Sequence, residues 1–261
     1  MICMELDFII VIFLIGFIGS FISGMLGIGG SIIKYPLLLY IPSSLGVGYL
    51  TAAEVAGISA VQVFFATIGG VWAFRKGGYL NKRLILIMGI SIIIGSFIGG
   101  FGSYFLSDNT INLVYALLAT IAAIMMFVPK AEVDDIPNEK VEFNLLVAML
   151  SAFIVGIGAG IVGAAGAFIL VPIMLVILKI PTRVTIASSL AITFLSSIGS
   201  TLGKIVTDQV LYGPAVIMII ASLIAAPLGA NTGKKINTKI LRALLAILIL
   251  ATAINVWIDI F

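Results

Sequence analysis

Long apolar runs separated by short polar segments make up most of the chain. Residues 84–107 and 210–232 contain no charged side chain, and each run exceeds the roughly 18 apolar residues that mark a membrane-spanning helix. The runs do not alternate between apolar and polar positions, as the strands of a membrane β-barrel would. The pattern therefore predicts an all-α polytopic membrane protein.

Eight of these runs are long enough to predict spanning helices. They cover residues 8–26, 52–74, 84–106 and 111–128, and then 145–162, 186–206, 211–228 and 240–258. A shorter apolar piece follows the first helix of each set, at residues 31–41 and again up to residue 178. The composition, with 62% hydrophobic and 10% charged residues, agrees with a membrane protein, because soluble proteins average about 25% charged residues.

The first apolar run ends in residues that suit a plain spanning helix poorly. These are Gly24, Gly27, Gly29, Gly30, Ser31, Lys34 and Pro36. With a constant offset of 136 residues, Gly24, Gly27, Gly30 and Pro36 match Gly160, Gly163, Gly166 and Pro172. The doubled break indicates an internal duplication. Residues 1–128 form the first repeat, residues 129–143 the linker and residues 144–261 the second repeat.

Lysines and arginines collect in cytoplasmic loops, so their positions indicate how the repeats are oriented. If each broken segment crosses the membrane once, the basic residues other than Lys34 divide into seven on the cytoplasmic side and six on the outer side, which shows no bias. If each segment is a hairpin that enters and returns, twelve lie inside and only Lys204 outside, with Lys34 in the membrane. The twelve are Arg75, Lys76, Lys82, Arg83, Lys130, Lys140, Lys179, Arg183, Lys234, Lys235, Lys239 and Arg242.

The hairpin arrangement inverts the second repeat relative to the first. We therefore expect two inverted repeats, each with a Gly-broken helical hairpin plus three spanning helices, a cytoplasmic linker, and both termini outside. Inverted repeats with discontinuous helices are a recurrent plan of secondary transporters. Such a chain would lie in the cell membrane.

An interrupted helix leaves unpaired backbone N–H groups where its second piece begins, and these groups attract anions. Glycine lets a ligand approach the backbone closely. The substrate-binding candidates at the two breaks are Gly27, Gly29, Gly30 and Ser31, and Gly163 and Gly166. The alternative is that these glycines only let helices pack, as small residues do in membranes. Gly95 and Gly99, Gly156 and Gly160, and Gly229 and Gly233 are interpreted in that second way.

Lys34 is the one basic residue expected well inside an apolar run, and an intramembrane charge is a functional candidate by default. It would attract an anionic substrate, or else extend to the interface or pair with Glu54. Its counterpart in the second repeat is Leu170. Ser59, Gln62, Ser188, Ser189 and Thr193 in the following helices are further substrate-binding candidates. Their polar groups are equally suited to bonds within and between helices.

Several functional classes are excluded by composition. The chain has no histidine and a single cysteine, so we expect no metal site, no cofactor and no internal disulfide. A serine nucleophile would lack a histidine to activate it, so an enzyme is not expected. A coupling proton would need Glu54 or Lys34, and a coupling sodium ion would need hydroxyls and free carbonyls. The basic loops are explained by topology and do not indicate nucleic-acid binding.

The motifs resemble those of the sulfite exporter TauE/SafE family over nearly the whole chain. The resemblance rests on the doubled glycine break with its following proline, and on the segments Ala187-Ser188-Ser189-Leu190, Gly99-Gly100-Phe101-Gly102 and Leu228-Gly229-Ala230. It implies a permease for small anions, often sulfur-containing ones such as sulfite or organosulfonates. Two features depart from the family pattern. Lys34 stands where an aliphatic residue is usual, and the break from Gly163 to Gly166 has fewer glycines than is typical.

The sequence thus predicts a secondary transporter of small anions that works by alternating access of two inverted repeats. The alternative is an anion channel built on the same breaks. The expected partners are a small anionic substrate and the lipid bilayer, and a homodimer is compatible with the sequence.

Inverted repeats place the linker and the last basic turn on the same side of the membrane. In a variant lacking the native cysteine, single cysteines introduced at Asn138 and Lys235 should both be labelled from the cytoplasm only. Labelling from opposite sides by membrane-impermeant maleimides would contradict the inverted arrangement.

Overall fold

A computed structural model describes residues 5–26, 31–74, 79–127, 141–163, 166–233 and 235–260. Every regular element in these residues is helical, which confirms the all-α prediction. The helices are α1 (Leu6–Leu26), α2 (Ser31–Ser44), α3 (Ala52–Phe74), α4 (Lys82–Gly102), α5 (Asp108–Phe127), α6 (Leu145–Val162), α7 (Ala167–Pro172), α8 (Thr182–Val206), α9 (Tyr212–Gly233) and α10 (Thr238–Ile260). A 3₁₀ turn, Ser103–Phe105, follows α4, and a π-helical turn, Ile173–Ile177, follows α7.

Among the residues that the structure describes, six helices are long and apolar enough to cross a membrane: α1, α4, α5, α6, α8 and α9. Their outward faces carry large exposed apolar side chains, such as Leu86, Ile90 and Ile94 on α4. A soluble protein rarely exposes continuous apolar surfaces of this kind. The chain is therefore a multi-pass membrane protein, and these faces contact lipid.

Predicted and observed helix ends agree best where the polar flanks are clear. Helices α3 and α6 begin and end at the predicted residues. Helix α2 continues through Pro42 to Ser44, beyond the apolar piece expected to end at residue 41. Pro42 has no backbone N–H, so this last turn lacks one helical hydrogen bond. Helix α9 extends to Gly233, beyond the end expected at residue 228.

Glycines bring two pairs of helices into backbone contact. A Cβ atom on Gly99 of α4 would lie 2.0 Å from the carbonyl oxygen of Ile157 in α6, and one on Gly160 of α6 would lie 2.2 Å from that of Ser96. Between α1 and α9, a Cβ on Gly229 would lie 1.9 Å from the oxygen of Phe21. These distances confirm that the spaced glycines form packing faces. Small residues favour such close approach because helices in lipid gain little from hydrophobic burial.

Each main contact between two helices has an equivalent contact when the helices of the first half are matched with those of the second half. Helix α1 packs on α9 and α6 packs on α4, while α3 packs on α9 and α8 packs on α4. The remaining large contacts join α3 to α8 and α5 to α10. If α1 to α5 correspond to α6 to α10 in order, every one of these pairings maps onto another or onto itself. The helices thus form two structurally comparable sets around α3 and α8.

Helices α3 and α8 run antiparallel at the centre of this arrangement. The backbone N–H of Asn81, which follows α3, donates to Ser188 Oγ near the start of α8. Phe64 and Phe194 stack near the middle of both helices. Gly57, near the start of α3, contacts the carbonyl of Gln209, just beyond the end of α8. Helices α3 and α8, which occupy equivalent places in the two sets, thus run in opposite directions.

The glycine contacts lead to a paired test within α4. Gly99→Ala places a methyl group against the Ile157 carbonyl, whereas Gly102 has open space within 4 Å of its Cβ position. Overpacking of this kind usually costs about 1–3 kcal/mol. We expect Gly99→Ala to lower the thermal unfolding midpoint in detergent and Gly102→Ala to leave it unchanged or raise it slightly. Equal midpoints for the two variants would contradict the packing role.

Candidate functional site

The second glycine break interrupts the helical backbone at residues 163–166. Helix α6 ends at Val162, and Gly163 follows in the left-handed conformation with φ of +70°. Gly166, with φ of +68°, starts α7. A Cβ on Gly166 would meet Val155 and Ala159 of α6, so the chain has turned back onto the helix it left. The predicted second break is therefore present in the structure.

Gly163 also brings the second break into close contact with the backbone of α3. A Cβ at this position would lie 1.9 Å from the carbonyl oxygen of Ala56. Both the positive φ and the contact require glycine, because an L side chain would be strained and would also overlap the α3 backbone. The tip of the break is thus fixed beside the first turns of α3.

The first break falls between α1, which ends at Leu26, and α2, which begins at Ser31. The candidates Gly27, Gly29 and Gly30, and the side chain of Ser31, lie outside the described residues. What the structure describes is the returning helix α2 and the groups around Lys34.

Lys34 is completely buried between α1, α2 and α3. Its Nζ donates to Gln62 Oε1 at 2.5 Å and to Ser20 Oγ at 3.3 Å. Gln62 Nε2 in turn donates to Ser20 Oγ at 3.1 Å. Gly19 leaves the room that the lysine stem occupies, since a Cβ there would lie 2.2 Å from Lys34 Cγ. The three side chains form one buried polar cluster, which we call the Lys34 cluster.

Both hydrogen-bond partners of Lys34 are neutral. The pairing with Glu54 is not formed, because the Glu54 carboxylate accepts the Thr51 backbone N–H at 2.8 Å and caps its own helix. Among the described residues no carboxylate lies within ion-pair distance of Lys34. An ammonium group has three donor hydrogens, and the two bonds use two of them. The cluster can therefore accept an anion as both a charge partner and a hydrogen-bond partner.

One face of α3 connects the Lys34 cluster to the second break. Ala56 contacts Gly163, and Gln62 binds Lys34. Ser59 lies between them on this helix, and it is fully buried. Its hydroxyl has no hydrogen-bond partner among the described residues. Buried polar groups are rarely left without a partner, so such a group marks a place where a ligand or water belongs.

The candidates on α8 occupy a different setting. Ser188 Oγ accepts the Asn81 N–H at 3.1 Å. The hydroxyls of Ser189 and Thr193 donate to the carbonyls of Ile186 and Ser189, at 3.1 Å and 2.6 Å. These bonds match the alternative interpretation, in which hydroxyls bond back to their own helix or join two helices. The structure thus places Ser59 and Gln62 on the same helix as Ala56, which contacts the second break, and joins Gln62 to Lys34. It gives Ser188, Ser189 and Thr193 backbone partners.

Sequence reasoning missed a second buried lysine. Lys204 was expected on the outer side of the membrane, and Lys34 was expected to be the one basic residue deep in an apolar run. Lys204 is fully buried in the last turn of α8, so Lys34 is not the one basic residue buried in the protein. The side of the membrane on which Lys204 lies stays a prediction. A signal was present in the polar residues at helical spacing that precede it on α8: Ser189, Thr193, Ser196, Ser197 and Ser200.

The family of the chain follows from comparison with known proteins. The family model described as sulfite exporter TauE/SafE matches residues 12–256. The chain belongs to this family. It is therefore a membrane transporter of the TauE/SafE family, which agrees with the six candidate spans.

Known relatives of this TauE/SafE member are similar over nearly their full lengths. The probable membrane transporter protein YunE of Bacillus subtilis is 23% identical over 257 residues, covering 92% of this chain and 94% of the relative. A probable membrane transporter protein of Methanocaldococcus jannaschii is 25% identical over 257 residues, covering 93% and 94%. One from Xylella fastidiosa is 25% identical over 244 residues, covering 92% and 91%. No solved structure matches the chain.

Gly163 allows the effect of close contact to be separated from that of backbone strain. Gly46 has nearly the same φ, +68°, but its Cβ position is open. An alanine in this conformation costs about 1–2 kcal/mol, and at Gly163 the collision with α3 is added. We expect Gly163→Ala to lower the thermal unfolding midpoint clearly more than Gly46→Ala. Equal shifts in the two variants would show that the break is not pressed against α3.

Proposed function

We propose that this TauE/SafE-family transporter is a secondary transporter of small anions, with sulfur-containing anions such as sulfite or an organosulfonate as substrates. The observation that carries the proposal is the Lys34 cluster. A fully buried ammonium group with neutral partners keeps an uncompensated charge in an apolar interior. Such a charge is costly unless it is paired. A small anion supplies the missing charge.

The groups around Lys34 suit a compact oxyanion. Oxyanions accept several short hydrogen bonds, and bonds with an ionised partner are roughly twice as strong as neutral ones. The Lys34 ammonium supplies the charge, while the Ser59 hydroxyl is a free donor one turn from Gln62 on α3.

Two further observations support alternating access by inverted repeats. Helices α3 and α8 occupy equivalent places and run antiparallel, as inversion requires. In the hairpin topology Lys204 was the one basic residue assigned to an outer loop. Because Lys204 is buried in α8, no lysine or arginine is left in the outer loops of this topology. The proposed orientation therefore keeps the linker in the cytoplasm and both termini outside.

The closed surroundings of the site favour a transporter over a channel. Lys34, Ser59 and Gln62 are all fully buried. A transporter passes through a state in which its site is closed to both sides, whereas a conducting channel keeps a continuous path. The coupling ion is proposed to be a proton or sodium, and imposing each gradient separately in proteoliposomes distinguishes them.

The experiment that tests the function is uptake of sulfite, thiosulfate, methanesulfonate and sulfate into proteoliposomes. We expect saturable uptake of at least one sulfur anion, and Lys34→Met should weaken its apparent affinity by about tenfold or more, since a hydrogen bond to a charged group contributes roughly 1.5–3 kcal/mol. Lys82→Met, at an exposed lysine, is the matched control and should behave like wild type.

The opposite results are equally clear. Unchanged affinity in Lys34→Met would remove Lys34 from the site. Ohmic single-channel currents in planar bilayers, in place of saturable uptake, would favour the anion channel.

A further inference from the structure

Lys204 forms a second buried polar cluster at the end of α8. Its Nζ donates to Ser103 Oγ at 2.6 Å and to Gln209 Oε1 at 3.0 Å. Ser103 Oγ donates to the carbonyl of Gly100 at 2.7 Å, and Gln209 Nε2 donates to Thr207 Oγ1 at 2.5 Å. These bonds join the ends of α4 and α8. We call Lys204, Ser103 and Gln209 the Lys204 cluster.

The Lys204 cluster has the same chemistry as the Lys34 cluster. Each is a fully buried lysine whose ammonium donates to one serine hydroxyl and one glutamine carbonyl. Neither ammonium has a carboxylate within ion-pair distance in the described part of the chain. Each retains a third donor hydrogen beyond the two bonds. Two separate parts of the chain thus each bind a buried ammonium group with two neutral acceptors and, among the described residues, no counter-charge.

The C-terminal end of a helix explains the Lys204 charge only in part. A cation in the last turn of a helix interacts favourably with the helix dipole. The Lys204 ammonium, however, reaches a serine and a glutamine that lie beyond α8. Helix ends are also stabilised by exposed lysines, so the dipole does not require complete burial. The burial and the ligand set remain to be explained by a bound group.

The two clusters are linked through α3. Gly57 of α3 lies against Gln209, since a Cβ there would be 2.0 Å from the Gln209 carbonyl oxygen. Gln62, which binds Lys34, lies five residues further along α3, or about 7.5 Å along the helix axis. Ala56, next to Gly57, contacts the second break at Gly163. In the proposed orientation α8 ends at the outer face, so the Lys204 cluster lies between the outside and the Lys34 cluster.

We propose that Lys204, Ser103 and Gln209 form a second anion-binding site for the transported small oxyanion, at the outer end of the route to Lys34. This inference rests on the proposed anion transport. The bound anion accepts from the third hydrogen of Lys204, and the Ser103 hydroxyl turns from the Gly100 carbonyl towards it. The site then holds the anion beside α3 before or after it occupies the Lys34 cluster.

Calorimetric titration of the purified full-length protein in detergent tests the second site. The probes are sulfite, thiosulfate and methanesulfonate, and the tightest of them is used for all variants. We expect two anions per chain in wild type, one in Lys34→Met, and one in Lys204→Met. Lys204→Met risks misfolding, so Gln209→Glu is the second variant. It places a carboxylate beside Lys204, which excludes an anion and keeps the bond from Lys204 to Ser103. The new ion pair replaces the two bonds that Gln209 Nε2 donates to Thr207 and to the Gly100 carbonyl.

Gln209→Glu should therefore keep the wild-type unfolding midpoint or raise it, and bind one anion. If the role of Lys204 is purely structural, Gln209→Glu should bind the same number of anions per chain as wild type, whether that number is two or one. The control is Asn109→Asp, which adds the same charge at an exposed residue and should bind as wild type does.

The outcomes separate this inference from the proposed function. One anion per chain, lost in Lys34→Met and unaffected in Gln209→Glu, would overturn the second site alone. One anion lost in both variants would place both lysines at a single site and would also overturn a separate second site. Absence of binding to wild type, or binding that is independent of Lys34, would overturn the proposed function and this inference with it.

Discussion

A buried ammonium group sets the conditions that several neighbouring residues must meet. Lys34 is fully buried, and an isolated charge in an apolar interior costs several kcal/mol. Gly19 makes room for the lysine stem, and Ser20 and Gln62 accept its hydrogen bonds. These bonds offset part of the cost, at roughly 1.5–3 kcal/mol each for a charged donor. In the proposed function, a bound anion supplies the counter-charge that these bonds do not provide.

Glycine has two separate physical roles in this fold. At Gly99 and Gly160 it lies within regular helices and allows two backbones to touch. At Gly163 and Gly166 it also adopts a left-handed conformation that ends one helix and starts the next. The first role is common in membrane proteins because packing there depends on close contact. The second role interrupts the helical backbone inside the protein, which membranes tolerate only at buried or water-filled places.

Sequence reasoning succeeded where the physical signal is local. The ends of α3 and α6 were predicted correctly because turn and polar residues flank their apolar runs. The second break was predicted because its glycines repeat the spacing of the glycines in the first break. It failed for Lys204, which stands just before the polar turn Thr207-Asp208-Gln209 and therefore resembles a loop residue. Its burial depends on Ser103, more than 100 positions away in the chain. Only the packing of α8 on α4 brings these residues together.

The two halves share their main helix pairings but differ in where they place charge. Lys34 matches Leu170 at an offset of 136, and Gln62 matches Ile192 at an offset of 130. Both matching residues are buried apolar side chains. The second half has its lysine on α8 instead, at Lys204. In the proposed alternating access, exchange of the halves between two conformations moves a charged site against an apolar one. In that proposal an anion bound at Lys34 neutralises this charge and lowers the cost of moving it through the apolar interior, so that the loaded protein would change conformation more readily than the empty one.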